Sequence, residues 1–254
     1  MGEEFWPSFR MDGAVAVVTG ASSGLGLATS LILGELGAHV VMVSRGEERL
    51  AASAERVKAQ GGKVTWASAD TTDPASCARV ADIASASGPV RALINSSGLG
   101  TSAAATRERP DQFIEVVNAN LCATYWMCQN VAKVMTRGAS IVNVSSVIAL
   151  VSSGIPQAAY ASSKAGVLGL TRDLAVQWGG RRGIRVNAIC PGYFESPMLH
   201  KVPEEGLEKI VQRIPIGRIA AAEEVARAVV FLATNASSYM TGATLVIDGG
   251  LAIS

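Results

Sequence analysis

At 254 residues the chain can bury a sizeable core, and with 49% apolar against 17% charged residues it is no disordered scaffold. Its 22 basic residues nearly cancel 21 acidic ones, which leaves no electrostatic footprint for nucleic acid or for an anionic membrane surface. The cysteines (Cys77, Cys122, Cys128, Cys190) form no CxxC pair, and His39 and His200 complete no metal-ligand cluster, so reduced and mostly buried thiols are expected. The opening Met1-Gly-Glu-Glu-Phe-Trp-Pro lacks an apolar signal core and no stretch reaches the length of a membrane span, which together predict a cytoplasmic protein.

In chain order, short β-branched apolar runs at 14–19, 39–44, 64–68, 90–95, 140–145, 184–189 and 244–247 predict strands. Between them, apolar residues at helical spacing predict helices over 25–36, 47–60, 74–86, 110–136, 158–178 and 223–233. Runs such as Val15-Ala-Val-Val and Val40-Val-Met-Val are apolar on both faces, as in a parallel sheet covered on both sides. The expected fold is α/β, a single-domain Rossmann-type doubly wound parallel sheet of seven strands over residues 1–254, with no repeat or linker to mark a second domain. One irregular stretch, 190–216, carries Pro191, Pro197, Pro203 and Pro215 around a helical pattern at 204–212. It would lie over the carboxyl ends of the strands as a mobile substrate lid at about 193–216.

Val18-Thr-Gly-Ala-Ser-Ser-Gly-Leu-Gly ends the first strand and opens the first helix, placing Gly20, Ser22, Ser23, Gly24, Leu25 and Gly26 at the turn. Glycines let the backbone turn sharply and bring pyrophosphate close to the N–H groups of a helix N-terminus, whereas the bland alternative is a glycine-rich turn with no ligand. At the end of the second strand, Ser44-Arg45 stands where an acid would bind the ribose of NAD(H). A hydroxyl followed by a guanidinium suits the 2′-phosphate of NADP(H) instead, the other reading being a solvated arginine at a helix start.

Tyr160 and Lys164 lie four apart on a predicted helix and so share a face. An ammonium beside a phenol favours the phenolate, bringing a group of pKa near 10 into range for proton exchange. Ser146, ending the fifth strand in Ile141-Val-Asn-Val-Ser-Ser, could hold a substrate oxygen, with Ser145 a weaker substitute.

The pair of motifs Thr19-Gly-x-x-x-Gly-x-Gly and Tyr160-x-x-x-Lys164 resembles the short-chain dehydrogenase/reductase family, over about residues 12–250. The resemblance implies a catalytic set of Asn120, Ser146, Tyr160 and Lys164, with Asn118 the near decoy for Asn120. It implies further cofactor contacts from Asp70 and Thr71, from the turn Asn95-Ser96-Ser-Gly98, from Pro191-Gly192 and from Ser196, besides Tyr160 and Lys164. It also implies NADP(H) ahead of NAD(H), and pairing of the two long helices between subunits as a tetramer or dimer, where Tyr125, Trp126 and Met127 would sit. The interval from Ser146 to Tyr160 is one residue longer than the family pattern, an excess that the loop Val151-Ser-Ser-Gly-Ile would absorb.

The resulting expectation is an NADP(H)-dependent oxidoreductase interconverting a carbonyl and an alcohol on a small molecule, without nucleic-acid or membrane partners. The stretch from Ile214-Pro-Ile-Gly-Arg to Asp248-Gly-Gly resembles bacterial 3-oxoacyl-carrier-protein reductases and gluconate 5-dehydrogenases alike. A 3-oxoacyl thioester reductase is therefore an alternative, for which Arg181-Arg182 or Lys201 would be the carrier-docking residues. A different kind of alternative is a dinucleotide-binding regulator without turnover. Apolar lid residues Met198, Leu199, Val202 and Leu207 favour a hydrophobic substrate.

Overall fold

The computed structural model describes residues 6–152, 154–197, 199 and 204–254. Strands β1 (Val15–Thr19), β2 (His39–Ser44), β3 (Lys63–Ser68), β4 (Val90–Asn95), β5 (Met135–Val144), β6 (Arg185–Pro191) and β7 (Thr244–Ile247) form one sheet in the order β3-β2-β1-β4-β5-β6-β7. All neighbours pair in parallel. Such pairing requires crossovers that return each strand to the same edge, and helices supply them.

Helices α1 (Gly24–Glu35), α2 (Glu47–Ala59) and α8 (Ala222–Ala233) cover one face, burying Leu25, Leu33, Leu50, Val57, Val229 and Leu232 on Val40, Met42 and Ile94. The other face is covered by α3 (Pro74–Ser87), α5 (Ala123–Val134) and α6 (Ala158–Arg182), which bury Cys77, Val80, Met127, Val131 and Leu174 on Val17, Val41, Leu93 and Ile141. This two-sided covering is why β1 is buried along its whole length. Two further helices, α4 (Pro110–Val117) and α7 (Glu204–Gln212), are shorter.

Three expected boundaries change, the first being that of β5, expected over 140–145 but running from Met135 to Val144. The helix expected over 110–136 divides into α4, a π-helical turn at Asn118–Cys122 and α5, and it ends at Val134 because Met135 is extended and pairs with Val90. The helix expected to end at 178 runs on through Gly179 and Gly180 to Arg182, where Gly183 (φ 62) supplies a left-handed cap. Met127 belongs to the core rather than to an outer face, while Tyr125 and Trp126 are half-buried with ring centroids 5.0 Å apart.

The strand order reverses between β1 and β4, which opens a crevice at their carboxyl ends. Thr19 closes its floor: its Oγ1 accepts hydrogen bonds from the backbone N–H groups of Ser96 (3.0 Å) and Ser97 (3.1 Å).

Candidate active site

The glycine turn leaves β1 at this crevice. Gly20 takes φ 66, and a Cβ there would stand 2.9 Å from the Ser96 carbonyl oxygen; a Cβ on Gly26 would stand 2.4 Å from the Gly20 oxygen. A side chain at Gly24 would meet Ser196 Cβ at 3.6 Å and Pro197 Cδ at 3.7 Å, so the segment after β6 lies directly over the turn. Ser23 is the N-cap residue of α1 yet its side chain makes no capping bond, and the first turn of the helix carries no acid. Uncapped N–H groups at a helix start, under a backbone stripped of side chains, fit the pyrophosphate of a dinucleotide. Leu25 contributes only backbone here, since its side chain is core.

At the end of β2 the hydroxyls of Ser22 and Ser44 meet at 3.0 Å, next to the exposed Arg45. Asp70 turns its Oδ1 onto the backbone N–H (2.9 Å) and hydroxyl (2.8 Å) of Thr72, which holds its carboxyl below the ordinary range with added help from Arg45. Thr71 is half-buried beside it, its carbonyl taking the Cys77 thiol at 3.3 Å.

The Asn95 side chain is buried and donates to Asn143 Oδ1 (2.9 Å) and Cys128 Sγ (3.2 Å), which ties β4 to β5. Asn143 passes the chain of bonds to Thr171 at 3.0 Å. Ser96 contributes backbone to the crevice, and Gly98 is exposed, with space for a Cβ only 3.3 Å from both Asn120 Oδ1 and Lys164 Nζ.

Asn120, Ser146, Tyr160 and Lys164 come together at the carboxyl end of β4, β5 and β6. Ser146 follows β5, caps the 3-10 turn Val147–Ala149 by accepting from the Ile148 N–H at 3.2 Å, and lies within hydrogen-bonding reach of the Tyr160 phenol. Burial pushes the Tyr160 pKa up, and the Ser146 hydroxyl pulls it partly back. Lys164 is buried; desolvation lowers its pKa to about 8. Its ammonium stands 5.9 Å from the Tyr160 ring centroid and donates to the Val144 carbonyl at 2.9 Å, so it adjoins the phenol without bonding it.

The π turn aims Asn120 inward. Its Oδ1 accepts from the Leu99 N–H (2.7 Å), and its Nδ2 donates to the Leu99 carbonyl (2.9 Å) and to Ser163 Oγ (3.0 Å). Asn118, the first residue of the same π turn, makes none of these bonds. Between Ser146 and Tyr160, Gln157 bridges to Ala103 just before α6 begins.

Pro191 ends β6, and Gly192 donates to Ile247 O at 2.9 Å; a Cβ there would stand 2.7 Å from Asp248 Cα. Ser196 is half-buried and its Oγ accepts from the Leu199 N–H at 3.3 Å. Met198, His200, Lys201 and Val202 lie outside the described residues. Leu199 is buried and Leu207 half-buried, while Ile210 and Ile214 pack on Val147 and Leu251. Tyr193, which sequence reading passed over, joins that apolar cluster and neighbours Tyr160; its place directly after Pro191-Gly192 was the available signal.

Arg182 donates to the Ala132 carbonyl at the opposite end of α6, about 30 Å from Tyr160 at the helical rise per residue, and Arg181 stands beside it. Neither marks the entrance of this site on its own chain. A hollow of about 490 Å³ at that far end, walled by Val176, Gln177, Trp178 and both arginines, is separate from the crevice.

A family model described as enoyl-(acyl carrier protein) reductase matches residues 20–252. The chain belongs to the short-chain dehydrogenase/reductase family. It is 39% identical over 248 residues to the 3-oxoacyl-[acyl-carrier-protein] reductase FabG of Thermotoga maritima, covering 96% of this chain and 100% of that protein. It is 38% identical over 252 residues to D-threitol dehydrogenase of Mycolicibacterium smegmatis, covering 96% and 95%. Among solved structures, a gluconate 5-dehydrogenase from Burkholderia cenocepacia in complex with NADP and tartrate superposes with a TM-score of 0.92 at 31% identity, covering 98% of this chain and 99% of that one. As a short-chain dehydrogenase/reductase the protein is an oxidoreductase acting on hydroxyl and carbonyl groups with a nicotinamide dinucleotide. Among the described residues no helix is long and apolar enough to cross a membrane.

Proposed function

We propose that this chain is an NADP(H)-dependent reductase or dehydrogenase whose reacting centre is Ser146, Tyr160, Lys164 and Asn120. The observation that carries the reading is the convergence of these four side chains, from three separate elements, beside the switch point of the sheet. The dinucleotide, when bound, supplies the hydride in reduction and takes it up in oxidation. In reduction, Ser146 Oγ donates a hydrogen bond to the carbonyl oxygen and Tyr160 Oη gives that oxygen its proton. Lys164 places a positive charge beside the phenol and favours its proton loss, and Asn120 fixes the π turn and the Leu99 loop so that a water can reach Lys164 and restore the proton. In oxidation the same groups work in reverse.

The NADP(H) preference rests on Ser22, Ser44 and Arg45, a hydroxyl pair with a guanidinium that matches a phosphate dianion. It is supported by the NADP in the similar gluconate 5-dehydrogenase. The backbone of Gly20, Ser23, Gly24, Leu25, Gly26, Ser96, Gly98 and Gly192 would line the dinucleotide, with Asp70 and Thr71 at the adenine and Ser196 at the nicotinamide end. Residues 193–216 would close over the substrate, and we place the enzyme in the cytoplasm as a tetramer or dimer, which light scattering tests.

The 39% identity to a 3-oxoacyl-carrier-protein reductase supports a second substrate reading, a 3-oxoacyl thioester, beside the small ketone or polyol that the 38% identity to D-threitol dehydrogenase supports. The deciding experiment is the initial rate of NADPH consumption, with NADH in parallel, on acyl thioesters, diketones, keto-sugars and cyclic ketones. Turnover that Tyr160→Phe lowers at least about 100-fold, with NADPH binding retained, is the expected result; near-normal turnover by that variant refutes the assignment of Tyr160. Tight NADPH binding without turnover on any class favours the regulator.

A further inference from the structure

Two bonds join the tip of β5 to α6 in opposite directions. Lys164 Nζ donates to the carbonyl of Val144 at 2.9 Å, and the hydroxyl of Ser145, the next residue, donates to the carbonyl of Lys164 at 2.8 Å. The Ser145 N–H is also spoken for, donating to Ile189 O on β6 at 2.8 Å. Ser145 is only 3% exposed. Side chains alternate in direction along extended backbone, so Ser145 and Ser146 face opposite ways and only Ser146 addresses Tyr160.

We infer that Ser145 is a positioning residue for the reacting centre: its bond to the Lys164 carbonyl locks the register between the strand tip that presents Ser146 and the helix turn that presents Tyr160 and Lys164. This rests on the reading of those three residues as the reacting groups. The Lys164 carbonyl is a helical acceptor already, so the Ser145 hydroxyl is a second donor to it, and its removal leaves no orphaned carbonyl that would unfold the helix. What its removal releases is placement. Val144 and Ser146 flank Ser145 directly, so a shift of the strand tip against α6 moves the Lys164 ammonium and the Ser146 hydroxyl together. Displacements of this kind, well below an ångström, are costly to proton transfer because the reacting atoms must stay aligned.

The test compares Ser145→Ala, Ser145→Thr and the parent enzyme on the substrate with the highest turnover, with NADPH affinity by fluorescence titration and the thermal midpoint recorded for each. Expected are a fall in kcat of about 10-fold for Ser145→Ala, NADPH affinity within about twofold, a displaced pH–rate profile, and recovery of most of kcat by Ser145→Thr, whose hydroxyl can reach the same carbonyl. A lowered thermal midpoint with kcat and the pH–rate profile unchanged overturns the inference, because a merely structural serine gives that result. Should Ser145→Ala not fold, Ser145→Cys, close in size and a weaker donor, takes its place with the same expected and overturning outcomes. Tyr160→Phe run alongside separates the two levels: if it keeps near-normal turnover the reacting centre is misassigned, whatever the serine variants do.

Discussion

Lys164 Nζ reaches the Val144 carbonyl at 2.9 Å inside the protein, with no carboxylate among the groups that shift its pKa. An ammonium so buried costs the fold stability. Its folded-state pKa, about 8, lies below the ordinary 10.5. Below about 8 both folded and unfolded chains hold the proton and the full cost is present; between about 8 and 10.5 only the unfolded chain holds it, so this residue makes stability rise with pH across that window. Lys164→Met should therefore stabilise the cofactor-free protein at pH 7 by on the order of 3 kcal/mol less the lost bond to Val144, and so raise its thermal midpoint. The advantage should shrink toward pH 10.5. Thermal melts from pH 6 to 10 check it, and a difference independent of pH would show that the buried charge is not the cause.

Ser146 lowers the pKa of a phenol that burial raises. Its loss moves that pKa higher still. In the direction of alcohol oxidation, which needs the phenolate, Ser146→Ala should shift the rising limb of kcat/KM to higher pH and lower kcat by about 100-fold. A full pH–rate profile with an unmoved limb would separate Ser146 from Tyr160.

Arg45 is exposed at the end of β2, close to the Ser22 and Ser44 hydroxyl pair. Replacing it with aspartate removes a fork of donors and adds a charge that repels phosphate. Arg45→Asp should lower the NADPH to NADH ratio of kcat/KM by about 10- to 100-fold. Steady-state kinetics with both coenzymes decide it, and an unchanged ratio defeats the NADP(H) assignment.

Gly26 has no room for a side chain, since a Cβ would stand 2.4 Å from the Gly20 oxygen. Gly26→Ala must push α1 away from the turn. The expected cost is about 1–3 kcal/mol of stability together with weakened dinucleotide binding. Calorimetry and NADPH titration test both parts, and a variant equal to the parent in each would mean that α1 and the turn are not packed this closely.

Much of the fold was legible in the chain because parallel strands buried on both faces are written as unbroken β-branched runs, as in Val15–Thr19 and His39–Ser44. The glycine turn was legible for a related reason: Gly20 and Gly26 answer local backbone demands that no other residue meets. Even so, the order β3-β2-β1-β4-β5-β6-β7 depends on which strands pair, and that is decided by contacts far apart in the chain. Local spacing also misjudged two ends. The π turn at Asn118–Cys122 sits inside a continuous apolar pattern, and Gly179-Gly180 sits inside a helix that tertiary packing carries across them.

The sequence by itself determined that the chain is a parallel α/β protein with a glycine-rich turn after its first strand, and that Tyr160 and Lys164 share a helix face, because these follow from spacing along one element. Only the tertiary structure decided that the Asn95 side chain donates to Asn143, that Lys164 is desolvated, and that Ser145 grips the Lys164 carbonyl while Ser146 meets Tyr160. Each of those depends on how β4, β5 and α6 are packed against one another, and packing distance is not a property of any one segment.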